Sequence, residues 1–159
     1  MEFKRRKQLR LENYDYRSNG AYFITICTVD KRHILGKIVG GDAYIAPHIE
    51  LSDYGITVEK YIKNIKGLDT YTIMPNHIHM IIRIGFDSDG TMLASSPTQG
   101  IPQLIKSFKT LVSKECRKTI WQRSYYDHII RNEADYLEKS YYIINNPAKW
   151  AEDEYFTEG

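Results

Sequence analysis

The stretch TIMPNHIHMII, residues 72–82, decides the fold and poses the first chemical question. Two runs rich in β-branched and apolar residues, DTYTIMPN (69–76) and HIHMIIRIG (77–85), meet at Pro75-Asn76, which predicts an antiparallel strand pair with a tight connection. Alternate residues of a strand share a face. Ile78, Met80, Ile82 and Ile84 then form the apolar face, and His77 and His79 point together to the other side, close enough to grip one cation. A single histidine in such a place is commonly satisfied by one hydrogen bond. His-x-His also occurs on exposed strands, so the spacing leaves both readings open, and a metal site needs a third ligand.

Working outward, residues 21–30 (AYFITICTVD) are aromatic and β-branched in rough alternation and read as a strand. HILGKIVGGDAYIAPHIEL, 33–51, offers two short extended runs around Gly40-Gly41, a small hairpin. Ser52 is a suitable N-cap for a helix with apolar positions at Tyr54, Val58, Tyr61, Ile62 and Ile65, ended by Gly67. A polar Gly/Ser/Pro-containing loop follows the strand pair at 86–100. A second helix carries Ile101, Leu104, Ile105, Phe108, Leu111 and Val112 on one stripe, with Lys106, Lys109, Ser113 and Arg117 on another face. WQRSYYDHIIR, 121–131, is a further strand; Asn132 caps a last helix, EADYLEKSYYIINN, that Pro147 ends. The order strand, helix, strand, strand, helix, strand predicts an α+β fold with a ferredoxin-like split βαβ core, an inserted N-terminal hairpin and an appended C-terminal helix. Residues 1–159 read as one domain, with a basic N-terminal arm over 1–20 and the final helical segment over 132–150.

Composition narrows the class. With 159 residues, 42% hydrophobic and 26% charged, the chain is ordinary for a globular protein, and no apolar run approaches the ~20 residues that span a bilayer. The N-terminus does not read as a secretory signal, so a cytoplasmic protein is expected. Cys27 and Cys116 stand far apart outside any CxxC pair and read as small buried residues. Net charge is only +2, yet Lys4, Arg5, Arg6, Lys7 and Arg10 crowd the first ten positions and another basic set lies between Lys106 and Lys118. Such clusters fit either a phosphate-backbone footprint or a solubilising tail and a solvated helix face.

The last helix offers the missing ligand. Tyr142 and Asn146 are four apart and share a helix face, so Asn146 could give a carbonyl oxygen to an ion beside the Tyr142 phenol. Tyrosine can serve as a covalent nucleophile, and a neighbouring cation favours the phenolate, whose free pKa is about 10. Tyr141 and Asn145 have the same spacing. The stripe Ala134, Leu137, Tyr141 and Ile144 assigns Tyr141 to the core-facing side and leaves Tyr142 about 100° away.

MPNHIHMII, preceded by AYFITICT and followed by SFKTLVSK, WQRSYYDHIIRN and YYIINNPAKW, resembles the single-tyrosine HUH transposases, in particular the REP-associated tyrosine transposase group. The similarity runs from about Arg5 to Trp150. It implies a ferredoxin-like core in which His77, His79 and Asn146 bind Mg²⁺ or Mn²⁺ and Tyr142 is the nucleophile. It also implies a metal-dependent transposase or endonuclease on single-stranded DNA that works through a 5′-phosphotyrosine intermediate and recognises REP-like hairpins. Histidine ligands make manganese at least as suitable as magnesium, with zinc a further option. On this reading Arg5, Arg6 and Arg10 contact a hairpin stem, Lys106 and Lys109 follow the backbone, and Arg123 faces DNA or a surface partner. Asp127 and His128 point to opposite strand faces and form no dyad. The expected setting is the cytoplasm, associated with the nucleoid, as a monomer or a homodimer, with the tyrosine helix serving its own subunit or a partner. Only nine residues follow Trp150, so no extended C-terminal tail is expected to contribute. Two rivals stand beside this: a non-catalytic ferredoxin-like nucleic-acid-binding protein, and a zinc hydrolase using the histidines with a carboxylate, which lacks an HExxH motif.

Overall fold

In the computed structural model, residues 20–85 and 100–158 are described. Arg5, Arg6, Arg10 and the rest of the basic arm, and the expected loop up to residue 99, lie outside them. Strands β1 (Gly20–Cys27), β4 (Leu68–Ile73), β5 (His77–Ile84) and β6 (Tyr126–Ile130) form one antiparallel sheet in the order β4-β5-β1-β6. With helices α1 (Asp53–Ile62) and α2 (Ile101–Cys116) as the crossovers, this is the ferredoxin-like arrangement. The strands β2 (Gly36–Val39) and β3 (His48–Leu51) pair separately as the inserted hairpin, and α3 (Glu133–Asn145) follows β6.

The sheet separates its two faces by strict alternation. Tyr22, Ile24 and Ile26 of β1 and Ile78, Met80, Ile82 and Ile84 of β5 are buried in one cluster with Val58, Ile62, Ile105, Phe108 and Val112 from the two helices. Both helices therefore cover that face, and the hydrophobic effect holds them there. The other face carries Phe23, Thr25, Cys27, His77 and His79, and α3 lies against it.

Local signals work as their chemistry dictates. Ser52 Oγ accepts the Gly55 N–H at 3.1 Å, and Asn132 Oδ1 accepts the Asp135 N–H at 2.8 Å, so both N-caps are made. Gly55 lets α1 approach the hairpin: a Cβ there would stand 2.0 Å from the Leu35 carbonyl oxygen. β6 is shorter than the expected 121–131, because Trp121 pairs only in an isolated bridge with Thr28 and its side chain is buried against Phe108.

One expectation is overturned. Leu137, Tyr141 and Ile144, assigned to the core side of the last helix, are 56%, 63% and 72% exposed. The helix instead turns Tyr136, Lys139, Ser140, Ile143 and Asn146 inward. Its docking is largely polar: Tyr136 donates to Asp69 Oδ2 at 2.5 Å, and the Arg83 guanidinium sits 4.9 Å from the Tyr136 ring centre. Apolar periodicity marks the buried side only where the surface opposite is apolar, and here it is the histidine face.

Candidate metal and tyrosine site

The turn between β4 and β5 fixes the first histidine. Asn76 is fully buried, and its carbonyl accepts from the Thr28 N–H at 2.9 Å, while the Pro75 carbonyl accepts from the Leu35 N–H at 3.1 Å. The Asn76 side chain donates from Nδ2 to the Tyr155 carbonyl at 2.8 Å, which directs Oδ1 toward His77 Nδ1, 2.7 Å away. An amide oxygen only accepts, so His77 carries its proton on Nδ1 and turns an unprotonated Nε2 into the interior. His79 is placed by the register: Thr25 lies directly across on β1, and its Oγ1 is hydrogen-bonded to His79 Nδ1 at 2.7 Å. Phe23, two residues along β1, stacks on the His79 ring at 5.1 Å between centroids.

The helix brings the remaining groups. Tyr142 packs edge-on to His79 with ring centres 5.1 Å apart, within the same chain. Asn146, one turn on, is buried. Its Nδ2 donates to Asp153 Oδ2 at 2.7 Å, and the Tyr142 hydroxyl donates to the same oxygen at 2.9 Å. Asp153 Oδ2 lies 3.9 Å from His77 Nε2, and single ligand atoms of His77, His79 and Asp153 all fall within 4.8 Å of one another.

Three buried polar atoms here have no hydrogen-bond partner: His77 Nε2, His79 Nε2 and Asn146 Oδ1. Leaving such atoms unpaired costs roughly 1–3 kcal/mol each, so their gathering in one place beside a carboxylate calls for a shared ligand. His77 Nε2 and Asn146 Oδ1 are lone-pair donors, and His79 Nε2 is a third in the tautomer whose Nδ1–H donates to Thr25, a set that complements a divalent cation. The second nitrogen of each imidazole is held by Asn76 or Thr25, as in metal sites where an outer hydrogen bond fixes the ring. The donor set therefore fits a metal ion, with the Asp153 carboxylate close beside it.

Electrostatics agree. Burial lowers the His77 pKa to about 4 against an opposing pull from the Asp153 charge, and burial with the neighbouring His77 holds His79 well below the usual imidazole range. Both rings are thus neutral at pH 7, the form in which imidazole binds a metal. The Tyr142 phenol is pushed up, first by burial and then by the hydrogen bond and charge of Asp153. The phenol therefore keeps its proton at neutral pH.

Sequence reasoning brought His77, His79, Tyr142 and Asn146 to notice, and the structure gathers all four. It missed Asp153 and Tyr155. The short run after Trp150, from which no contribution was expected, folds into the site: Tyr155 lies 4.8 Å from the His77 ring and 5.7 Å from that of His79. Nothing in WAEDEYF distinguishes Asp153 from its acidic neighbours, although Asn76 beside the histidines could have been noticed. Lys109 is engaged locally, its ammonium donating to the carbonyls of Gln122 at 2.6 Å and Arg123 at 3.2 Å, whereas Lys106 and Arg123 are exposed. His128 bonds Asp135 rather than Asp127, at 2.7 Å.

Comparison with known proteins gives this geometry a lineage. An uncharacterised Haemophilus influenzae protein is 36% identical across 96% of this chain and 94% of its own length. A second protein from that organism, provisionally named a REP-associated tyrosine transposase, is 27% identical over 87% of this chain and 77% of its own. The chain belongs to the REP-associated tyrosine transposase-like family. A solved REP-associated tyrosine transposase bound to a REP hairpin shares the fold of this family member, with a TM-score of 0.61 at 19% identity, covering 88% of this chain and 74% of the other. No family model matches the chain. Among the described residues, no helix is long and apolar enough to cross a membrane.

Proposed function

We propose that this protein is a metal-dependent transposase or endonuclease that cuts and rejoins single-stranded DNA beside hairpin elements, with Tyr142 as nucleophile and His77, His79 and Asn146 as metal ligands. The observation that carries the proposal is the meeting of three partnerless buried atoms, His77 Nε2, His79 Nε2 and Asn146 Oδ1, with the Tyr142 phenol in one chain. A module that only bound DNA would gain nothing from leaving these atoms unpaired.

Mg²⁺ or Mn²⁺ supplies Lewis-acid polarisation of a phosphoryl oxygen and stabilises negative charge nearby. The chain does the rest. Neutral His77 and His79 present lone pairs from rings locked by Asn76 and Thr25. Asp153 holds the phenol by its proton and orients it. In the cut, the Tyr142 oxygen forms a bond to the phosphorus, the phosphorus–O3′ bond breaks, and the 3′-oxygen leaves with a proton; a DNA 3′-hydroxyl reverses these steps to reseal the strand. One ester replaces another, so no external energy source is required. Lys106 and Arg123, exposed on α2 and before β6, are available to the DNA backbone, as are Arg5, Arg6 and Arg10 by their charge. The chain acts as one domain in the cytoplasm at the nucleoid.

The test uses single-stranded fragments flanking the protein's own gene, incubated with Mn²⁺ and with wild type or Tyr142→Phe. Wild type forms an SDS-resistant protein–DNA adduct and Tyr142→Phe forms none, a loss of roughly 10³-fold or more. Hairpin binding by wild type without any adduct would return the protein to the non-catalytic reading.

A further inference from the structure

The residue next to the nucleophile is exposed for no reason that packing supplies. Tyr141 stands 63% exposed on α3 and lines a cleft of about 590 Å³ together with Tyr142, Phe23 and Asn146. That volume lies within the ~300–1,000 Å³ typical of small-ligand sites. Lys149 Nζ lies 5.9 Å from the centre of the Tyr141 ring. Asn145 Nδ2 donates back to the Tyr141 carbonyl at 2.9 Å, which leaves its amide oxygen as an acceptor at the cleft wall.

The charges around the cleft decide which part of a nucleotide it admits. Glu138, Glu152, Asp153 and Glu154 line it against Lys139 and Lys149, and Lys139 is drawn toward Asp135 and Glu138 at 3.5 Å. An excess of carboxylates repels phosphate and accepts N–H donors. An aromatic wall with acceptors at its margin suits the flat face and amino edge of a nucleobase. Asn146, whose buried Oδ1 has no partner, is among the residues that line the cleft, which ties it to the ion site.

We propose that this cleft is a base-binding subsite: Tyr141 stacks one unpaired base of the strand adjoining the phosphate that Tyr142 attacks, and the surrounding carboxylates accept from that base's amino or imino group. This rests on the single-strand reading above. Guanine, with adjacent N1–H and N2–H donors, fits best; adenine and cytosine offer one amino group; thymine has a single N3–H between two repelled carbonyls and fits worst.

The experiment uses a DNA hairpin with single-stranded flanks, taken from beside the protein's own gene, carrying 2-aminopurine at one flank position at a time. EDTA is present so that no strand is cut. Wild type quenches 2-aminopurine at one flank position. Tyr141→Phe keeps the quenching, whereas Tyr141→Ala, a change at an exposed position, abolishes it and weakens affinity for the flank about tenfold. Thymine at the quenched position weakens binding more than guanine. Flank binding with no position quenched, or equal quenching by Tyr141→Ala, overturns the subsite. Failure to bind hairpin and flank alike overturns the single-strand reading itself, a result distinct from the first.

Discussion

The Tyr142 hydroxyl donates its proton to Asp153 Oδ2 at 2.9 Å, and the same oxygen accepts from Asn146 at 2.7 Å. One carboxylate thus holds both residues of the helix that face the histidines. Its charge opposes ionisation of the phenol, which burial already disfavours. Asp153→Asn keeps the shape and removes the charge, so the Tyr142 phenol of metal-free protein should titrate lower by about one pH unit. Tyrosines labelled with ¹³C at Cζ, with Tyr142→Phe identifying the resonance, provide the readout. An unchanged midpoint in Asp153→Asn would mean that the carboxylate does not govern this phenol.

Stability should depend on pH through the same pocket. His77 has its folded pKa lowered from 6.5 to about 4, and His79 is lowered as well, in both cases chiefly by burial. The unfolded chain therefore binds more protons than the folded one between these values. The full contribution is present above pH 6.5 and is lost as pH falls toward 4, on the order of 3 kcal/mol for His77 alone. Urea unfolding in EDTA from pH 8 to pH 5 should show this decline. A double variant, His77→Gln with His79→Gln, should show a much shallower one, and parallel curves would refute the assignment.

How much of this was legible in the sequence depended on which surface each residue met. Ile78, Met80, Ile82 and Ile84 met an apolar helix layer, so strand alternation identified the core correctly and set His77 and His79 on the opposite face. Ser52 and Asn132 act through bonds to the residue three positions on, and such local chemistry can be read from a short window. Tyr141 was misplaced because α3 docks through Tyr136, Asp69 and Arg83 on a polar face, where hydrophobic spacing carries no information. Asp153 was missed for a different reason: its partners Tyr142 and Asn146 become neighbours only when the chain turns back through the 3₁₀ segment Pro147–Glu152.

Cation binding should be visible without any DNA. A ligand that binds only the folded state stabilises by RT ln(1 + [L]/Kd), about 2.7 kcal/mol at a hundredfold excess over Kd. Mn²⁺ at saturating concentration should therefore raise the Tm by several degrees, and EDTA should reverse the rise. His79→Gln should abolish the shift by removing Nε2, and Asn146→Ala should reduce it. Calorimetric titration with Mn²⁺, Mg²⁺ and Zn²⁺ ranks the ions. A wild-type protein whose Tm ignores all three would leave the unpaired histidine nitrogens without the ligand argued for them.

Tyr142, the proposed nucleophile, should serve its own subunit. Tyr142 lies beside His79 in one chain, only two residues join β6 to α3, and the helix is held to its own sheet by Tyr136 on Asp69 and by Arg83 over the Tyr136 ring. A two-residue connection gives α3 little reach toward the sheet of a second copy. Mixing His79→Gln with Tyr142→Phe therefore should not restore adduct formation, since each chain lacks one half of a site that is assembled internally. Mixtures held overnight at high protein concentration, with Mn²⁺ and single-stranded hairpin DNA, allow any exchange of helices to occur. Adducts reaching about a quarter of the wild-type yield, the share expected when half of each kind of chain meets the other, would show that the helix crosses between subunits.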